Sequence, residues 1–223
     1  MTAHLYYSPL KWKELAELVD QVRLGGVGLF PTDTVYGIGC RANSNDSTMA
    51  IYRIKERPVD KTLPLLIGGW EMFDRYCGKI ATENRQRLEE LWPGALTVVV
   101  PASQAARTLS YHCIREGTIA MRMPNHARLR FLIEQLGVPL ASTSANLSGK
   151  SEALTLEMVS QKLRGAVDWA WSEPIPQKEP LPSTVIDLSR GEVQILREGG
   201  IHWNGKKPLK IPVVEKGRLF APQ

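Results

Sequence analysis

The sequence predicts an α/β (α+β) fold, a sheet with helices packed on it, on three observations. Short apolar runs of strand length alternate along the chain with segments whose apolar residues recur at helical spacing. Gly and Pro punctuate the junctions, and no internal repeat or low-complexity segment breaks the alternation. With 43% hydrophobic and 23% charged residues the composition is that of an ordinary globular protein, which argues against disordered, collagen-like and coiled-coil architectures.

Each element has a local reason. Residues 10–24 read as an amphipathic helix through Trp12, Leu15, Leu18, Val19 and Val22, stopped by Gly25-Gly26. Val27–Phe30 is a short strand ended by Pro31 and followed by a loop, PTDTVYGIG. Asn45, Asp46 and Ser47 offer N-caps for a helix running to Lys55, and Leu63–Ile67 is a second buried strand. Helices are expected over 70–77 and 80–91. The Trp92-Pro93-Gly94 turn then feeds the strand Leu96–Val100, and Thr118–Arg122 is another strand. A helix over 126–136 is closed by Gly137. Leu140–Thr143 is a strand entering the polar loop SANLSG, and a helix follows over 155–164 with Thr155 as its cap. Strands at 167–171, 184–188 and 193–197 complete the core. The Pro-rich stretch 172–182 reads as a surface loop, and the Lys-, Pro- and Gly-rich tail from 203 as poorly packed. The expected organisation is one domain over 1–202 with a basic tail over 203–223.

The net charge is +5, of which a surplus of three lies from Glu198 onward, so any positive site must be local. Cys40, Cys77 and Cys113 form no CxxC pair, which argues against a zinc site or a disulfide scaffold and fits reduced thiols. No apolar run approaches the roughly 20 residues of a membrane span, and the N-terminus lacks the pattern of a signal peptide. A cytoplasmic protein with no membrane partner is expected.

No phosphate-binding P-loop, GxGxxG, HExxH or GxSxG motif is present, and the four histidines are scattered, so metal-hydrolase and nucleophilic-triad chemistry has little support. Three polar loops at strand ends stand out instead. Pro31–Gly39 carries Thr32, Asp33, Thr34 and Tyr36; alone it reads equally well as a turn whose hydroxyls bond their own backbone. Lys55, Arg57 and Lys61 surround Pro58 at a helix end, where cations complement the helix dipole but also suit a grip on phosphate. Ser142–Gly149 holds five Ser, Thr or Asn residues in eight, dense enough in small donors to cradle an anion as well as to cap a helix. Thr118 and Arg122 on one strand, Ser183 and Arg197 add further candidates. Arg122 and Arg197 end apolar strands, where a guanidinium requires an anion or water.

Seven segments in order, PTDTVYGIG, IYRIKERP with Lys61, WPGALTVVV, GTIAMRMPNHA, PLASTSANLSG, STVIDL and ILREGG, give the chain a strong resemblance to the YrdC-like threonylcarbamoyl-AMP synthase family across roughly residues 27–200. The resemblance implies a twisted mixed sheet around a concave, positively lined cavity. It implies a nucleotidyltransferase that joins L-threonine, bicarbonate and ATP into threonylcarbamoyl-AMP and pyrophosphate, with magnesium held through the ATP phosphates. The product serves downstream threonylcarbamoyl transferase proteins that modify tRNA. Residue by residue, Lys55, Arg57 and Lys61 resemble the catalytic phosphate cluster, joined in ATP binding by Thr118, Ser144, Asn146 and Arg197. Thr34, Arg122, Ser142 and Ser183 resemble threonine contacts. Arg57→Ala or Lys61→Ala is expected to cut pyrophosphate formation at least about tenfold. Two departures are visible: Leu66 stands near a position where some longer members carry histidine, and only about 25 residues follow ILREGG, too few for their extra C-terminal domain. Two other readings are a YrdC-like double-stranded RNA- or tRNA-binding protein without synthase activity, and a homologue that transfers carbamoyl groups from another donor. Against the first stand the 7% aromatic content and the absence of a stacking array.

Overall fold

The computed structural model describes residues 3–8, 10–176, 179, 181–203 and 209–210. In chain order the elements are β1 (His4–Tyr7), α1 (Trp12–Arg23), β2 (Gly28–Phe30), β3 (Gly37–Arg41), α2 (Asn45–Lys55), β4 (Leu65–Leu66), α3 (Trp70–Tyr76), α4 (Thr82–Leu91), β5 (Leu96–Pro101), β6 (Ile114–Arg115), β7 (Thr118–Arg122), α5 (Ala127–Leu136), β8 (Leu140–Ser144), α6 (Gln161–Arg164), β9 (Trp169–Ser172), β10 (Thr184–Asp187), β11 (Gln194–Arg197), β12 (Ile201–His202) and β13 (Leu209–Lys210). One mixed sheet runs β1-β9-β2-β3-β8-β4-β7-β5-β10-β11, with β6 beside β7, while β12 and β13 pair separately. The expected mixed α/β architecture is borne out.

Strand alternation divides the core between the two faces of the sheet. Leu29, Ile38, Leu65, Val98, Met121, Ala141 and Ile186 point to the face packed by Ile51 and Tyr52 of α2, Phe73 and Tyr76 of α3, and Leu88 and Leu91 of α4. Phe30, Leu66, Leu140, Trp169 and Trp171 point to the opposite face, which α1 and α5 cover with Leu15, Leu18, Val22, Leu129 and Leu132. Those two helices cover only the part of that face near β1, β9, β2 and β8. The remainder, over β7, β5 and β10, is left to polar and small side chains, and there the candidate site lies.

Two close approaches explain why the strands around β2 are rich in glycine. A Cβ at Gly28 would stand 2.0 Å from Cδ2 of Trp169, its register neighbour on β9. A Cβ at Gly37 would meet the Phe30 ring at 2.7 Å, and one at Gly39 the Ala141 carbonyl at 2.6 Å. These glycines let large rings lie flat across the sheet.

Several expected boundaries shift. The helix expected over 155–164 is helical only at Gln161–Arg164, where the Ser160 hydroxyl accepts from the Leu163 amide. The preceding residues form a single turn instead, with the Thr155 hydroxyl accepting from the Met158 amide at 3.4 Å and the Leu156 carbonyl from the Val159 amide at 3.2 Å, while Leu154, Leu156 and Val159 are buried. The cap of α2 is Ser44, whose side chain accepts from the Ser47 amide, rather than Asn45, Asp46 or Ser47. Part of the PTDTVYGIG loop is strand, since Gly37 starts β3, and β1 was not anticipated. Of the tail expected over 203–223, all but Trp203 and the β13 backbone lies outside the described residues.

Candidate active site

The uncovered half of the sheet forms the floor of a cavity of about 270 Å³. Register explains its lining. Arg122 on β7 stands beside Leu66 on β4, and Met121 opposite Val98 sets Arg122 opposite Thr97 of β5; Thr97 in turn pairs with Val185 of β10, and Val185 with Arg197 of β11. One row across five strands thus carries Leu66, Arg122, Thr97, Val185 and Arg197, all lining the cavity. A second row brings Ala120 and Pro64 beside Ser142, and Ser144 pairs with Gly37 of β3. The β2–β3 loop closes one end with Thr32 and Thr34, and Arg57 and Glu152 stand on the walls.

Arg122 is almost fully buried. Its Nε donates to the Gly94 carbonyl at 3.1 Å, Nη1 to Thr34 Oγ1 at 2.8 Å and Nη2 to Asp33 Oδ1 at 2.5 Å. Thr34 Oγ1 lies 3.0 Å from Thr32 Oγ1, which donates to the Val35 carbonyl at 2.7 Å and accepts from the Thr34 and Val35 amides. The Thr34 hydroxyl accepts from Arg122 and lies within hydrogen-bond distance of Thr32 Oγ1. The loop and Gly94 thus engage one N–H on each guanidinium nitrogen, and one N–H on each of Nη1 and Nη2 is left over for a carboxylate in the cavity.

On the opposite wall Arg197 donates through Nε and Nη2 to the Ser183 carbonyl at 3.1 and 2.7 Å, and through Nη2 to Ser183 Oγ at 3.2 Å. Ser183 Oγ in turn lies 2.8 Å from Thr97 Oγ1. Arg197 keeps part of its side chain in solvent, and the partial desolvation of its guanidinium lowers its pKa, with the nearby Glu152 carboxylate opposing that shift and Arg122 adding to it. Arg57 is fixed by the turn that ends α2. Glu56 adopts a left-handed conformation (φ 52°), and the Arg57 guanidinium donates to the carbonyls of Lys61 at 3.4 Å and Thr62 at 3.1 Å. Burial lowers its pKa too.

Lys55 lies behind this wall, only 2% exposed. Its ammonium donates to the carbonyls of Ser144 and Asn146 and, at 3.4 Å, to Asn146 Oδ1. The Ser144 hydroxyl donates to the same Oδ1 at 2.6 Å. Burial, and secondarily Arg57, lowers the Lys55 pKa to about 8, against the pull of Glu152. Lys55 thus pins the end of β8 and the loop after it.

Of the residues expected from sequence, the structure gathers Thr34, Arg57, Arg122, Ser142, Ser144, Ser183 and Arg197 around one cavity. Lys55 and Asn146 stand behind its wall. Lys61 is exposed and Thr118 lies at the far end of β7, its hydroxyl donating to the Arg115 carbonyl at 2.7 Å; neither lines the cavity. Thr118 does share the strand face of Ala120 and Arg122 by parity. Sequence reasoning missed Glu152, Thr97 and the apolar floor of Phe30, Pro64 and Leu66. The alternation of Thr118, Ala120 and Arg122 with the bulky apolar Ile119 and Met121 was an available signal for a half-open strand; nothing local marked Glu152.

Comparison with known proteins places the chain in a family. Residues 20–199 match a family model described as telomere recombination, that of the Sua5, YciO and YrdC proteins, and the chain belongs to this family. A threonylcarbamoyl-AMP synthase of Pseudoalteromonas translucida (strain TAC 125) is 33% identical over 181 residues, which cover 80% of this chain and 95% of that protein. The P. abyssi Sua5 structure complexed with L-threonine superposes with a TM-score of 0.79 at 29% identity, covering 90% of this chain and 58% of that one. E. coli YciO gives a TM-score of 0.76 at 26% identity, covering 89% and 96%. The chain thus spans nearly the whole of two of these relatives and under three fifths of the third.

Proposed function

We propose that this chain is a threonylcarbamoyl-AMP synthase, an enzyme of nucleotidyl transfer that serves tRNA modification. The observation that carries the reading is the facing of an oriented Arg122–Thr34 pair and the Arg57 and Arg197 guanidiniums across one cavity lined with serine hydroxyls. The names of the relatives, and the threonine complex of P. abyssi Sua5, support it.

In this reading the amino-acid carboxylate lies on Arg122, with Thr34, Ser142 and Ser183 around the rest of the molecule. The amine, after addition to carbon dioxide derived from bicarbonate, becomes a carbamate. A carbamate oxygen attacks the α-phosphorus of ATP, the bond to the β-phosphate oxygen breaks, and pyrophosphate leaves. Two anions must approach to about 3–3.5 Å, so the task is positioning and charge stabilisation rather than covalent catalysis. Arg57 and Arg197 stabilise the phosphates, and the Ser144 hydroxyl reaches them by exchanging its bond to Asn146 Oδ1 for one to a phosphate oxygen. Thr118, about 13 Å along the strand from Arg122 at ordinary strand rise, and Lys61 serve the parts of the nucleotide that extend beyond the cavity. Magnesium carried on the phosphates supplies further charge neutralisation. The donor set fits that arrangement: among the described residues no three of His, Cys, Asp or Glu converge on a metal, so phosphate oxygens must supply most ligands.

The test is direct. The protein incubated with ATP, bicarbonate and threonine should yield the mixed anhydride by mass spectrometry, with much less product from serine. RNA binding with a steep salt dependence and no threonine-dependent pyrophosphate would refute the synthase reading in favour of an RNA-binding role.

A further inference from the structure

Glu152 is the one carboxylate among the described residues lining the cavity, and no function has been given to it above. No hydrogen bond or ion pair with another described residue engages it. Its charge acts on Arg197, which the synthase reading puts on the phosphates, and on Lys55 behind the wall: it favours the charged forms of both. By contrast Asp33, at the amino-acid end, is committed to Arg122 at 2.5 Å.

A carboxylate placed among groups that hold a triphosphate is a liability unless something positive lies between them. Two like charges in a partly dry cleft repel strongly, and the repulsion acts on every phosphate group within a few ångströms. A divalent cation removes the conflict, because Mg²⁺ is commonly held by one or two carboxylates together with substrate phosphates and waters. We propose that Glu152 is the protein's ligand, direct or through a water, to the divalent cation that accompanies the nucleotide. This inference rests on the synthase reading and extends it by assigning the metal a partner on the protein. It makes the cavity selective for metal-bound over metal-free triphosphate, since Glu152 repels the bare anion and attracts the complex.

The sign of the effect separates this role from a structural one. ATP binding would be measured by calorimetry in excess Mg²⁺ and in EDTA, for the natural protein, Glu152→Gln and the charge-keeping Glu152→Asp. Glu152→Gln should bind metal-free ATP more tightly and Mg·ATP more weakly, so that the preference for the metal complex falls by about tenfold or more. Glu152→Asp should keep the preference for the metal complex, and it decides the matter if the Gln variant does not fold. An unchanged ratio in Glu152→Gln, equal weakening of both forms, or a ratio lost in Glu152→Asp would overturn the proposal. So would a variant whose one change is weaker discrimination between ATP and 2′-deoxy-ATP, which would place the carboxylate on the ribose. Failure of the natural protein to bind ATP under either condition would remove the synthase reading itself, and this inference with it.

Discussion

Lys55 offers a sharp physical test because its charge is buried and its donors are accounted for. The ammonium is 2% exposed and bonds two backbone carbonyls and, more distantly, a side-chain amide. Burial, with Arg57 second, brings its pKa from 10.5 to about 8. A shift of that size corresponds to about 3 kcal/mol of disfavour for the charged form in the folded state. Stability rises with pH wherever the unfolded chain binds more protons than the folded one. Between about pH 8 and 10.5 the unfolded chain keeps the Lys55 proton and the folded chain loses it, so the natural protein should gain stability there. Below pH 8 both states hold the proton and the full penalty stands. Other groups also titrate in that window, so the measurement is the difference between the natural protein and Lys55→Met in urea unfolding at pH 7, 8, 9 and 10. Lost hydrogen bonds add a constant offset against the variant. Above that offset the difference should grow in favour of the natural protein by about 2–3 kcal/mol between pH 7 and 10. A flat difference, or one that shrinks with pH, would refute the account of Lys55 as a buried charge held at a cost to pin the 144–150 loop.

Three further outcomes are expected. Arg57→Ala should cut pyrophosphate formation at least about tenfold while leaving the melting temperature near that of the natural protein; Lys61→Ala, whose side chain stands outside the cavity, should cost less, and equal losses would put both on the phosphates. Arg122→Lys keeps the charge but loses the planar fork, so the KM for threonine should rise by about tenfold or more with the KM for ATP little changed; parallel rises in both would argue against a carboxylate at Arg122. Gly28→Ala drives a methyl to 2.0 Å from the Trp169 ring and should lower the Tm by roughly 6 °C or more; a shift within a degree or two would show that β2 and β9 can separate cheaply.

The sequence made most elements legible because their signals are local. The helical stripe of α1 and α5, the Gly137 cap and the apolar runs of β2, β5 and β7 all depend on neighbours within a few residues. What stayed hidden depends on distant pairing. β1 is four residues long and is a strand because it lies parallel to β9, some 165 residues away in the chain. β3 looked like loop because Gly37 and Gly39 depress strand propensity, and their reason is the Phe30 ring on the neighbouring strand. The helix expected from Thr155 is replaced by one turn whose Leu156 and Val159 are buried against residues distant in the chain. The same division runs through the site. Strand-end arginines and hydroxyl-rich loops could be picked from their own segments. That Ser183 would share a bond with Thr97, or that Arg57 and Glu152 would face one cavity, required the sheet order.

The sheet order also accounts for where the cavity lies. The face that holds it has two long helices, α1 and α5, against three on the other face. Had a third helix covered β7, β5 and β10, alternate positions such as Thr97, Ala120 and Arg122 would need apolar side chains, as Val98, Ile119 and Met121 supply on the covered face. An uncovered strip of sheet exposes a flat row of side chains at fixed spacing, and five strands place Leu66, Arg122, Thr97, Val185 and Arg197 along it. A row of that kind suits an extended ligand carrying anions at both ends, because Arg122 and Arg197 are set apart by backbone register rather than by flexible loops. It also exacts a condition. Arg122 is engaged by Asp33 and Thr34, and Arg197 by Ser183, so each guanidinium must offer an incoming anion the donors its protein partners leave over or give up a bond already made. Substrate affinity in this cavity is therefore the difference between two sets of charge-assisted hydrogen bonds, and it should respond to changes in Asp33 and Ser183 as readily as to changes in the arginines themselves.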